Sequence, residues 1–288
     1  MNAIIGIIVT VAMVFGGYLL AGGSLGIITH SLPFEMMIIG GAAIGAFVSA
    51  NDISTIKHTM GDLGTVFKGS KWKKSDYQDL LCLMHELLNI FKKNPIDIEP
   101  HIEAPSESDI FAKYPKILKD HCAIELLCDT IRAMIMNFDN VHQVEELLEK
   151  QLESLMEEKL HGYHALQSMA DALPALGIVA AVLGVIKTMS SIDKPPEVLG
   201  GMIGGALVGT FLGVFLAYGI VGPFAMKVKH IRKEEHYFYT MIVGILVSNL
   251  HKNSVKNCVE VARRQAPSRV RPTFDDVEHA LQESKQAA

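Results

Sequence analysis

Residues Asp171 to Met189 read DALPALGIVAAVLGVIKTM: an acid, a proline three positions on, then small and aliphatic side chains broken only by Lys187. A helix of about 20 apolar residues crosses the hydrocarbon core of a bilayer. The single lysine does not forbid that, because its long stem can carry the ammonium group to the interface. The stretch therefore reads as part of a membrane span over Ala172–Ile192. Three further segments have the same character: Ala3–Ala21, Phe34–Ala50 and Val198–Met226. Four spans predict an all-α, polytopic membrane protein.

Composition agrees with this. Of 288 residues, 49% are hydrophobic and only 20% charged, too apolar for an ordinary soluble domain of this size. A net charge of −5 supplies no basic field for nucleic acid. No basic residue precedes NAIIGIIVTVAMVFGGYLL and a second apolar run follows closely, so an uncleaved hairpin is expected, not a signal peptide.

The spans divide the chain into a hairpin (1–51), a helical cytoplasmic domain (52–171), a second hairpin (172–226) and a C-terminal tail (227–288). The connection Gly22–Leu32 holds no Lys or Arg, whereas Lys57, Lys68 and Lys71 follow the second span and Lys227, Lys229, Arg232 and Lys233 the fourth. The excess of positive charge places the middle domain, the tail and both termini in the cytoplasm.

Glu35 and Asp52 are read as flanking the second span, and Asp171 and Asp193 as bounding the third. On that reading no carboxylate lies deep, and the helices offer chiefly Thr10, Tyr18, Ser49, Thr210 and Tyr218. An ion path needs ionisable groups or dense polar oxygens at depth, so an ion carrier is expected from a partner.

Gly201, Gly205, Gly209 and Gly213 recur every four residues, forming a ridge on one helix face that lets another backbone approach. Two readings stand: packing within one subunit, or packing against a neighbour or central partner. Pro174 and Pro223 also allow two. They are a first-turn residue and a stop signal, or a ring of bendable points near the cytoplasmic face. Thr210, thirteen residues before Pro223, lies roughly 20 Å deeper, near mid-membrane.

The middle domain reads as helical. YQDLLCLMHELLNIFKK has an amphipathic period; NPIDIEPHIEAPSES is turn-rich; Asn140 is placed to cap the helix that follows. Glu145, Glu149, Glu153 and Glu157 form an acidic, solvated face. His161 and His164 lack further ligands for a metal. Cys82, Cys122, Cys128 and Cys258 form no C-x-x-C pair and are expected reduced. No nucleophile triad, nucleotide loop or carboxylate pair gives enzyme chemistry a foothold, and no cofactor is expected.

The strings APSESDIFAKYP (104–115), LPALGIVAAVLGVI (173–186), VGTFLGVFLAYGIVGP (208–223) and RPTF (271–274), with the order of spans, resemble the MotA family of flagellar motor stator subunits along nearly the whole chain. The resemblance implies five copies around MotB-like single-span partners, whose membrane aspartate carries the ion. It implies that Pro174 and Pro223 couple ion passage to cytoplasmic movement and that Thr210 faces the partner's aspartate. Ala181 stands where sodium-driven relatives usually carry threonine, so the implied ion is the proton rather than Na+. The family's charges that meet the rotor protein FliG map onto Glu99, with Glu103 nearby. Its arginine position falls on Phe91, which passes the basic role to Lys92 or Lys93 without arginine's planar fork. Two rivals remain: an ExbB- or TolQ-like subunit, expected to have three spans, and a self-contained channel, which would need its own polar pathway. A scaffold without ion coupling is the remaining reading.

Overall fold

The turn joining the first two spans is short. Gly22 takes a φ of +83° there, which a residue without Cβ adopts freely, and the Ser24 hydroxyl accepts the Gly26 N–H at 3.3 Å. The computed structural model describes residues 2–136 and 141–286, and among these the regular elements are all helices. Asn140 lies outside the described residues.

Helices α1 (Asn2–Leu20) and α2 (Leu25–Ala50) form the first hairpin. The second span therefore starts nine residues earlier than expected, with Pro33 inside it. The physical reason is the cost of unpaired peptide groups in lipid. One proline forfeits one N–H, whereas an irregular stretch from Gly22 to Leu32 would leave many backbone groups unpaired. Asp52 accepts the Thr55 N–H and starts α3 (Ile53–Lys68). The third span belongs to α9 (Val141–Met189) and the fourth to α10 (Pro196–Leu216). A π-helical turn over Ala217–Val221 leads from α10 directly into α11 (Gly222–Leu250). Ile8, Met37, Ile186 and Leu207 are 60–76% exposed, as expected of side chains that meet lipid or a neighbouring subunit.

The chain forms two compact units. The first comprises the chain up to Gly69 with Lys159–Ile231, and the second Ser70–Glu158 with everything from Arg232 onward. The spans thus share a unit with α3 and the segment just before Asp171, and the tail is not a separate appendage. In the second unit α4 (Lys74–Lys93) is followed by a 3₁₀ turn (Pro95–Ile98), α5 (Glu99–Glu103), α6 (Asp109–Ala112), α7 (Pro115–Leu118) and α8 (His121–Ile135). The tail contributes α12 (Val255–Gln265) and α13 (Phe274–Gln286).

Leu80, Leu83, Met84 and Leu87 of α4 are inaccessible to solvent, as are Phe238, Ile242 and Leu246 of α11 and Cys258 of α12. All belong to one apolar core. Burying such side chains stabilises by roughly 1.5–3 kcal/mol each, which draws the tail into the domain. Trp72 stacks on Phe238 with ring centroids 3.9 Å apart. Buried Asp120 accepts the Ala123 N–H at the start of α8, pairs with Lys71 at 2.5 Å and takes the Tyr239 hydroxyl. Glu149, Glu153 and Glu157 face solvent, whereas Glu145 is half-buried with His251 at 3.7 Å.

Candidate functional site

In the membrane unit α9 and α10 cross on glycine. A β-carbon at Gly213 would fall 2.6 Å from the Leu173 carbonyl oxygen and 2.8 Å from the Gly177 Cα. A β-carbon at Gly177 would fall 2.9 Å from the Gly209 oxygen. Further along, Gly184 opposes Ala206 in the same way. The ridge therefore packs within the chain at Gly209 and Gly213, which touch α9. Gly209 and Gly205 also receive polar side chains of α2: their β-carbons would lie 2.6 Å from Glu35 Oε2 and 2.9 Å from Ser31 Oγ. Gly201 alone of the four has open space around it.

Pro174 lies inside α9, not in a first turn, and α11 continues past Pro223, so the chain neither starts nor stops at its prolines. Immediately before Pro223 the Gly222 N–H reaches five residues back to the Ala217 carbonyl. A proline ring would collide with the carbonyl four residues earlier in a regular helix and leave it unpaired. The wider turn makes room for the ring without ending the helix. The two prolines stand at different levels within the chain. Leu173 is level with Gly213, so Pro223 sits about ten residues, or roughly 15 Å, further along the fourth span.

Thr210 adjoins Gly209 at the level of the Gly177 crossing. It lines a shallow cavity with Thr10, Val14, Phe211, Val214, Phe215, Tyr218 and Gly219, about 510 Å³ in volume. Ala181 is half-buried beside Ala180, whose Cβ packs 3.1 Å from the β-carbon position of Gly209. The structure thus brings Pro174, Ala181, Thr210 and three ridge glycines to neighbouring turns of two crossing helices.

Glu35 overturns one expectation. It is not at an edge of the second span but well inside α2, 7% exposed, with Oε2 buried and without a hydrogen-bond partner. The sequence signal was present in Gly22-Gly23-Ser24: a cap at Ser24 starts the helix early and carries Glu35 inward.

On the second unit Lys92, Lys93, Glu99 and Glu103 are all exposed. The Lys92 ammonium reaches the Asn253 carbonyl. Phe91 is half-buried against the core. An arginine is nonetheless present: Arg132 of α8 donates to Glu103 Oε1 at 2.8 Å and to Asp129 Oδ1 at 2.5 Å. The Glu103 hydrogen bond holds the guanidinium proton still more firmly than usual. Sequence spacing could not find this pair, because 29 residues of turn-rich chain separate its members.

Comparison with known proteins covers both units. The family described as motility protein A N-terminal matches residues 4–95, and the MotA/TolQ/ExbB proton channel family matches residues 121–241. Motility protein A of Salmonella typhimurium is 38% identical over 279 residues, covering 96% of this chain and 94% of that one. Motility protein A of Escherichia coli is 37% identical over 286 residues, covering 99% and 96%. A chain of the solved MotAB structure from C. jejuni matches the fold with a TM-score of 0.70 at 19% identity, covering 93% of this chain and 96% of that one.

Proposed function

This chain belongs to the motility protein A family, and from that premise we propose that it is a stator subunit of the bacterial flagellar motor. It is a multi-pass protein of the inner membrane that forms part of a proton channel and turns ion flow into torque on the rotor. Several copies, five by analogy with its family, surround MotB-like partners, and both termini face the cytoplasm as the distribution of Lys and Arg requires. Protons bind the partner's membrane aspartate beside Thr210. Ala181, with no hydroxyl to coordinate a metal cation, favours the proton over Na+.

The observation that supports the reading is that Thr210 adjoins Gly209, whose carbonyl meets Gly177, one turn from the contact of Gly213 with Leu173. Neutralising an acid beside Thr210 changes what the crossing of α9 and α10 must accommodate, and Pro174 lies within one turn of that crossing. The π-turn and Pro223 lie on the path from it to the cytoplasmic end of the helix. Both points lack part of the regular helical hydrogen bonding, so they bend at lower cost than their neighbours. The exposed charges Lys92, Lys93, Glu99 and Glu103, with Arg132, are the surface offered to the rotor protein FliG.

Deleting the gene in its host and imaging the cells tests the reading. Cells that build filaments but do not swim are expected. Cells that swim normally yet fail at energised uptake across the outer membrane would transfer the chain to the ExbB/TolQ branch of its family. Four helices of spanning length among the described residues, against three expected on that branch, favour the stator.

A further inference from the structure

At the end of the membrane unit where α2 begins, α9 finishes and α10 begins, a cavity of about 580 Å³ opens between these three helices. Its wall includes His30, Ser31 and Glu35 from α2, Lys187 from α9, and Gly201 and Gly205 from α10. Ser31 and Glu35 are one turn apart on α2, and they fit against Gly205 and Gly209, one turn apart on α10. Two ridge glycines thus make room for polar groups that lipid would reject. Glu35 lies ten residues after Leu25, roughly 15 Å into the helix. One of its oxygens is sealed with no donor, an arrangement that packing alone does not call for, since an apolar side chain of the same size would avoid the cost.

We propose that Glu35 is a proton-binding site of this chain itself, loaded from the extracytoplasmic side through this cavity and delivering protons toward the partner's acid. The proposal rests on the stator reading. Glu35 takes a proton from hydronium entering the cavity, its new O–H bond forming as a hydronium O–H breaks and water is left. On release the Glu35 O–H breaks as the partner's acid gains the proton, and the charged form returns. The charged form needs counter-charge or water; Lys187 of α9 lines the same cavity and carries a positive charge, His30 lines it from α2, and the α10 residues on its wall carry no titratable group. Glu35 packs on Gly209, and the adjoining Thr210 lines a separate cavity with α1, so α10 is the one helix that stands between Glu35 and the Thr210 cavity. A carboxyl group that gathers protons matters most where they are scarce.

The test is rotation of tethered cells against external pH, in the deletion strain carrying the full chain with its partner. The wild-type chain should restore rotation; if it does not, the stator reading fails and the proposal with it. Given restored rotation, Glu35→Gln, which keeps the size of the side chain, should fall several-fold behind wild type as external pH rises and recover ground as it falls. Equal speeds at every pH, at equal membrane abundance, would overturn the proposal alone. If the Gln variant does not accumulate, Glu35→Asp decides: restored rotation shows that a carboxyl group is what the position requires. Failure of both to accumulate would make Glu35 a packing residue and end the proposal.

Discussion

Gly213 lies so close to Leu173 that a β-carbon on the glycine would sit 2.6 Å from the leucine's carbonyl oxygen. Both obstructing groups there, this oxygen and the Gly177 Cα, are backbone and cannot turn aside. Gly213→Ala must therefore push α9 and α10 apart, at a cost of about 1–3 kcal/mol by analogy with overpacked cores. We expect it to lower thermal stability in detergent and membrane abundance. Gly201→Ala, in open space, should leave both unchanged. Equal stability of the two variants would contradict the crossing described above.

Pro174 and Pro223 act on helices that continue through them, so neither is required to end a helix. Replacing either by Ala restores one N–H donor and should stabilise the local helix, not damage it. Pro174→Ala is expected to leave the complex assembled in the membrane but unable to turn. Pro223→Ala should also allow the Ala217–Val221 turn to relax toward regular α-helix, with rotation lost at normal abundance. Co-purification with the partner measures assembly, and tethered-cell rotation measures torque; normal rotation of either variant would count against the coupling role.

Much of this was legible in the residues. The four spans follow from apolar length alone, and the glycine ridge from its spacing. Glu35 was placed at an edge because the second span was begun at Phe34; α2 instead starts at Leu25 and runs through Pro33, since the peptide groups of a loop in lipid have no water to bind. Treating proline as a breaker lies behind reading Pro174 as a first-turn residue and Pro223 as a stop signal, one of the two readings given to them, whereas both helices continue through them. The junction of the tail with the middle domain was invisible for another reason. The burial of Phe238, Cys258 and Val277 against α4 depends on contacts between distant parts of the chain, and period and composition register only neighbours.

Arg132 and Glu103 supply a charge test for the cytoplasmic surface. An exposed ion pair of this kind contributes about 0–1 kcal/mol, so its loss should barely alter stability. Arg132→Glu is expected to reduce torque at normal abundance, and Glu103→Arg introduced with it to restore the local pairing without restoring torque if a rotor surface of fixed charge reads these side chains. Swimming speed and melting temperature separate the two effects. Unchanged speed with Arg132→Glu would remove this residue from the rotor surface and leave Lys92 and Lys93 as its basic groups.

Acid should loosen the packing of the tail in a defined window. Glu260 of α12 is held by hydrogen bonds from Arg263 first and Arg264 next, which bring its pKa from 4.5 to about 2. Arg263 also donates to the Pro272 carbonyl at 3.1 Å, tying α12 to the segment before α13. A carboxylate whose folded pKa is depressed stabilises the fold fully above its unfolded value and loses that contribution as pH falls toward the folded value. The window therefore runs from about 4.5 down to about 2. Arg263→Met should lower the melting temperature at neutral pH, and the gap from wild type should narrow as pH falls through that window. The part that survives at the acid end measures the Pro272 contact, which does not titrate; a gap independent of pH would show that Glu260 draws no net stability from its arginines.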